Sequence, residues 1–186
     1  ELARETREVA KALEPTKAGE IVKDAARDLE QMDARQAEEK LPKAAAMLEE
    51  MLDRERSRLS EMEKRQRELS ELAEELDRHI EEAKAQEKNP SKEAAMESIV
   101  DMEKTRTGLD EAELPQASKD VAEAQQKMAE NAPAEARENL EEARAQVAAE
   151  QKDVASQLQA MMEAQSEQMA SLDKMQAYSE ELSALQ

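Results

Sequence analysis

From Leu41 to Ala83, one side of the chain returns in alternating steps of four and three: Leu41, Ala45, Leu48, Leu52, Glu55, Leu59, Met62, Gln66, Leu69, Ala73, Leu76, Ile80 and Ala83. Eleven of these thirteen positions are apolar, and the residues between them are mostly Glu, Lys, Arg, Ser and Gln. A seam that recurs every 3.5 residues predicts one long α-helix buried against another helix. A second ladder, stepping by seven, passes through Leu140, Val147, Val154, Met161, Gln168, Met175 and Leu182. Leu158, Met162, Met169, Leu172 and Leu185 widen its stripe and predict a second long helix from Ala134 onward.

Prolines, glycines and capping residues divide the remainder into shorter helices. Residues 2–13 carry Val9, Ala12 and Leu13, then Glu14-Pro15-Thr16 interrupts and Thr16 is set to cap a helix running to Met32. Ile21, Val22, Ala25, Leu29 and Met32 fall on one face of a 3.6-residue period. Asp33-Ala34-Arg35-Gln36 has capping-box spacing at the start of the long helix, inside which Pro42 predicts a kink or a first turn. Asn89 and Pro90 read as a cap and a first helical residue for a helix over 91–107, which carries Ala95, Met96, Ile99, Val100 and Met102. Gly108 suits a left-handed cap, Asp110 and Glu113 a second capping box, and Asn131-Ala132-Pro133 a final break. Glu→Arg spacings of four at Glu50/Arg54, Glu61/Arg65, Glu63/Arg67 and Glu74/Arg78 predict ion pairs of ~0.2–0.5 kcal/mol each.

The fold class expected is therefore all-α: an elongated helical bundle or antiparallel coiled coil with two long helices and several shorter ones. Residues 1–186 read as a single domain. Pro15-Thr16-Lys17 returns as Pro90-Ser91-Lys92, and Glu39-Lys40-Leu41-Pro42-Lys43-Ala44 as Ala112-Glu113-Leu114-Pro115-Gln116-Ala117. Two diverged helical-hairpin units, at about 15–88 and 90–165, would account for both echoes.

Composition sharpens this picture in two ways. The absence of Trp, Phe and Cys, with 34 Ala among the apolar residues, predicts a thin core, since each buried CH₂ is worth only ~0.8 kcal/mol. A net charge of −19 argues against nucleic acid, whose binding needs cations to neutralise phosphates, and against anionic membranes. No apolar run is long enough to cross a bilayer. A start at Glu1 rather than Met suggests an excised region or a processed product.

Candidate chemistry is sparse. His79 is the only histidine and cannot by itself build a zinc site, so it is expected to be a surface helical residue. Adjacent acids such as Glu74-Glu75 diverge by ~100° around a helix and read as solvated. No catalytic group, cofactor or metal is expected. Residues 53–67 hold six bases against four acids and suit docking of an acidic helix, within this chain before another. Residues 154–172 contain only Glu163 and Glu167 as charges, and Met161, Met162, Met169 and Leu172 there are the candidate partner contacts. Glu55, Gln66 and Gln168 are polar members of the seams and candidates for fixing register or partner choice. The packing seam itself is assigned to Leu41, Leu48, Leu52, Leu59, Met62, Leu69, Leu76, Ile80, Leu140, Val147, Val154 and Leu158.

Ala25-Ala26-Arg27-Asp28-Leu29-Glu30-Gln31-Met32-Asp33, followed by Ala37, Leu41 and a long Glu/Arg/Gln helix, resembles a known pattern. It is similar to the Glu/Gln/Ala-rich helical tails of large bacterial envelope proteins, where an A-x-x-x-L…D-x-x-x-A hairpin recurs. The stretch from Met128 to Leu140 echoes it. The resemblance implies a bacterial, extracytoplasmic helical domain within a larger protein and carries over no functional residue. The function expected is a non-enzymatic scaffold or protein–protein interaction module, its partner a second copy or another helical protein. The alternative is a holdase-like or cargo-binding protein with Met-rich grooves. Reversible lipid binding by amphipathic helices ranks below both, given the acidic charge and the scarcity of aromatics.

Overall fold

The structure, a computed structural model, describes residues 2–31 and 33–184. These are all-helical: α1 (Leu2–Ala12), α2 (Lys17–Glu30), α3 (Ala34–Lys88), α4 (Lys92–Glu111), α5 (Pro115–Ala129) and α6 (Pro133–Ala184), with no strand among the described residues. The two long heptad stretches lie in α3 and α6, of 55 and 52 residues. Met32 and Leu185, expected on apolar faces, lie outside the described residues.

Several helix ends follow directly from their residues. Thr16 is extended and its hydroxyl accepts the Gly19 N–H at 3.0 Å, opening α2. Asp33 opens α3 by accepting the Gln36 N–H at 3.3 Å, while the Gln36 amide returns to the Asp33 carboxylate at 2.8 Å. Pro42 sits inside α3 rather than at its first turn.

Other ends differ from expectation. Ser91, not Asn89, caps α4: Pro90 disfavours a helical residue before it, and the extended Ser91 accepts the Ala94 N–H at 3.4 Å. Gly108 is not a left-handed cap. It lies within α4, and a Cβ there would stand 2.8 Å from Leu72 Cδ2, so the glycine admits a neighbouring side chain. The turn falls later, with Glu113 at φ 59°. The Leu114 N–H bonds the Leu109 carbonyl at 2.9 Å and the Glu113 N–H that of Asp110 at 3.1 Å, a Schellman closure in place of the expected Asp110/Glu113 capping box. Asn131 repeats the turn at φ 61°, with Ala132 bonding Lys127 at 2.9 Å. In both cases a proline follows as the first residue of the next helix, Pro115 or Pro133. Leu-Pro thus occurs inside α3 at 41–42 and at a helix start at 114–115, so the longer sequence echo does not repeat as local structure.

Of the four expected Glu→Arg pairs, Glu50 and Arg54 meet. Arg65 instead reaches Glu150 at 2.6 Å, Arg67 bonds the Glu63 carbonyl at 3.3 Å, and Arg78 pairs with Glu82 at 3.8 Å. An arginine stem is long enough to take a backbone carbonyl, a neighbouring helix or a carboxylate one turn further on when that partner is nearer.

The chain forms two compact units, Glu1–Ser60 with Gln159–Gln186, and Glu61–Leu158. In the first, Val9, Leu13, Val22 and Ala25 of α1 and α2 share a buried cluster with Leu41, Leu48 and Leu52 of α3 and Met175 and Leu182 of α6. Gly19 lets α2 approach α1 closely, since a Cβ there would lie 2.8 Å from the Leu13 carbonyl oxygen. In the second unit, Leu69, Leu76 and Ile80 of α3 share a cluster with Met102 and Leu109 of α4, Val121 and Met128 of α5, and Leu140, Val147 and Val154 of α6. Contacts between α3 and α6 descend on one as they climb on the other. In the second unit Arg65 meets Glu150, Asp77 meets Arg144 and Glu87 meets Arg137; in the first Glu49 meets Gln176 and Glu55 meets Gln168.

Candidate functional site

The most organised polar cluster lies in the second unit, between α3 and α4. His79, expected on the surface, is fully buried. Its Nε2 lies 3.0 Å from Thr105 Oγ1 and its Nδ1 3.2 Å from Glu82 Oε2. The Thr105 hydroxyl also reaches Glu75 Oε2 at 2.9 Å, and the Ser98 hydroxyl donates to Glu82 Oε2 at 2.6 Å. Helical spacing assembles this row: Glu75, His79 and Glu82 stand at i, i+4 and i+7 on α3, opposite Ser98 and Thr105 seven apart on α4. The missed signal was on α4, where Ser98 and Thr105 share one stripe with the fully buried Met102 and Leu109. Hydroxyls on an apolar stripe require a polar partner across the interface.

The Thr105 and Ser98 hydroxyls donate to Glu75 and Glu82, and the two ring nitrogens of His79 bridge Thr105 and Glu82. Removing the Thr105 hydroxyl leaves Nε2 of the fully buried His79 without a partner. Both carboxylates reach solvent on opposite sides of the row. Glu75 lines an open groove of about 450 Å³ with Leu72 and Gly108, and Glu82 one of about 300 Å³ with Ser98 and Asp101. The Asp101 carboxyl is held below its ordinary range, chiefly by its hydrogen bond from Lys104, then by the Lys104 charge and by Arg78 and His79. The order hydroxyl–imidazole–carboxylate in Thr105, His79 and Glu82 matches a nucleophile, its base and an orienting acid. Thr105 is nevertheless fully buried and already hydrogen-bonded to Glu75, so its oxygen is closed to a substrate carbonyl. Among the described residues no group of three or more His, Asp or Glu is placed to hold a metal ion.

The seam residues distribute as follows. Leu41, Leu48, Leu52, Leu69, Leu76, Ile80, Leu140, Val147 and Val154 are buried, whereas Leu59, Met62 and Leu158 are half-buried. In the first unit no residue of 53–60 or 159–170 is buried. There Met161 is half-buried, Met162 is 60% exposed and Met169 44%, while Leu172 packs at the margin of the first core. The polar seam residues Glu55 and Gln168 meet each other, Gln168 Nε2 donating to Glu55 Oε1 at 3.1 Å. Glu55 Oε2, Gln168 Oε1 and Gln165 Nε2 are shielded from water and make no hydrogen bond. Gln66 Oε1, in the second unit, is shielded in the same way.

No family model, curated protein or solved structure matches this chain. Among the described residues no helix is long and apolar enough to cross a membrane.

Proposed function

We propose that this chain is a non-enzymatic structural and protein–protein interaction module, built by helical-bundle and antiparallel coiled-coil packing. One observation carries the reading: α3 and α6 contribute buried residues to both cores, and their mutual contacts run in opposite chain directions within each unit. A helix pair that supports separate cores along its length suits holding and spacing other elements. The sealing of Thr105 and His79 supports a packing role for the one triad-like row. The acidic surface directs partner choice toward protein rather than nucleic acid. A place in the bacterial envelope rests only on the compositional resemblance to helical envelope-protein tails, which spans about two-thirds of the chain.

A holdase-like reading is favoured only by the exposed Met162 and Met169. The two separate by binding of an apolar fluorescent dye and by suppression of aggregation of a denatured client protein. The module reading expects a dark dye in the folded protein and unimpeded client aggregation. A bright dye together with protected client would overturn it.

A further inference from the structure

We infer that Glu55 and Gln168 form a polar key that commits α3 to α6 of the same chain and against pairing with its own kind in a second copy; the inference rests on the module reading above. The seven-spaced ladder from Leu41 to Ala83 on α3 and the one from Leu140 to Leu182 on α6 each hold seven positions, and each has one polar member. Glu55 stands third from the start of the first and Gln168 third from the end of the second, so antiparallel helices bring the two exceptions to one level. There they meet, Gln168 Nε2 donating to Glu55 Oε1 at 3.1 Å. Seven residues back along α3 and seven on along α6 lie Leu48 and Met175, and one step further Leu41 and Leu182; all four are buried in the first core. The polar pair therefore keeps step with the apolar layers of its unit.

Its atoms also face inward. Glu55 Oε2 and Gln168 Oε1 are shielded from water and have no hydrogen-bond partner. Buried polar atoms rarely go unmatched, so this layer costs stability relative to apolar side chains at both positions. What it supplies is discrimination. A slip of seven residues would set Glu55 against Met161 or Met175. Two copies of α3 laid antiparallel over the full ladder would set Glu55 against Leu69, and laid parallel would bring two Glu55 carboxylates together. Two antiparallel copies of α6 would set Gln168 against Val154. Each of these leaves a polar group facing hydrocarbon or a like charge, and α3 against α6 in the observed register does not. Gln66, another polar seam member whose Oε1 is shielded and unpartnered, is the natural comparison.

The full chain, refolded from urea over a concentration series so that helices choose partners anew, tests this by light scattering and unfolding midpoint. Glu55→Leu with Gln168→Leu should raise the midpoint by more than the two single replacements added together, because each single one leaves an apolar side chain against a polar one. The same double variant should form species heavier than 20.9 kDa that the parent does not form at equal concentration. Glu55→Gln with Gln168→Glu reverses the pair and should keep the mass of the parent. Gln66→Leu should raise the midpoint without adding heavier species. Additive single effects overturn the inference, as does a double-leucine variant whose mass matches the parent throughout, or one whose heavier species are equalled by Gln66→Leu. Dye binding on the same samples separates the two levels: a dark dye beside any of those results defeats the key alone, and a parent with a bright dye and protected client defeats the module reading as well.

Discussion

Replacing each of the two glycines by alanine should move stability in different directions, because the atoms each new methyl would meet differ in kind. Gly19 lies in the first turn of α2, where a Cβ would stand 2.8 Å from the Leu13 carbonyl oxygen, 3.0 Å from its carbon and 3.2 Å from the Ala10 carbonyl oxygen. These are backbone atoms of buried residues, so relief requires moving the end of α1 by several tenths of an ångström toward an ordinary contact near ~3.5 Å. Overpacking of this sort costs about 1–3 kcal/mol. The shift also strains the Thr16 cap, which holds the Gly19 N–H and is worth ~1 kcal/mol. The better helix propensity of alanine returns at most ~1 kcal/mol. Gly19→Ala should therefore destabilise by about 1–2 kcal/mol. At Gly108 the Cβ would meet Leu72 Cδ2 at 2.8 Å, the far end of a flexible side chain that lines an open groove. Leu72 can swing aside, so the propensity gain remains and Gly108→Ala should be neutral or stabilising by up to ~1 kcal/mol. Urea unfolding followed by far-ultraviolet circular dichroism measures both. A harmless Gly19→Ala, or a Gly108→Ala that costs more than Gly19→Ala, would refute the close-approach argument.

Three further outcomes follow from other sites. Thr105→Val keeps the side-chain shape but strands His79 Nε2 and Glu75, and should cost about 1–3 kcal/mol in urea unfolding, whereas Thr107→Val on the exposed face should cost almost nothing; equal effects would remove the buried row as a stabilising feature. Glu113→Gly removes a left-handed strain that glycine does not feel and should stabilise by about 0.5–1 kcal/mol, with a loss of stability counting against the turn geometry. The Tyr178 phenol is pushed above its ordinary 10.0 by burial first, then by the Glu5 and Glu8 charges on α1. Its folded value exceeds the unfolded one, so its contribution is complete below the unfolded value and is lost as pH climbs through the folded one. Absorbance of this single tyrosine should give a midpoint above 10.0 in the native protein and near 10.0 in urea; a native midpoint at or below 10.0 contradicts the packing of α6 on α1.

The all-helical class and the two long helices were legible because a 3.5-residue seam survives the helical drift only when it is buried. The caps at Thr16 and Asp33 were legible as well, since a side-chain oxygen one turn before an amide acts locally. What escaped the sequence depends on a second helix. Glu75, His79 and Glu82 look like any solvated row of α3 until α4 brings Ser98 and Thr105 against them. Gly108 carries the composition of a turn, and only the position of Leu72 reveals it as a point of close packing. Likewise Arg65 had a partner four residues away in Glu61 and takes Glu150 instead. Glu55 and Gln168 stood out as polar seam members, although their meeting depends on a register that neither helix encodes alone.

Native-state hydrogen exchange in dilute solution reads the central claim most directly. If α3 and α6 serve two separate cores, slow amides should appear in α3 near 37–52 and again near 69–83, and in α6 near 136–154 and again near 175–182. Residues 53–68 and 155–170, where nothing is buried, should exchange faster than either flank. Uniform protection along each long helix, or protection in only one of the paired blocks, would contradict the account.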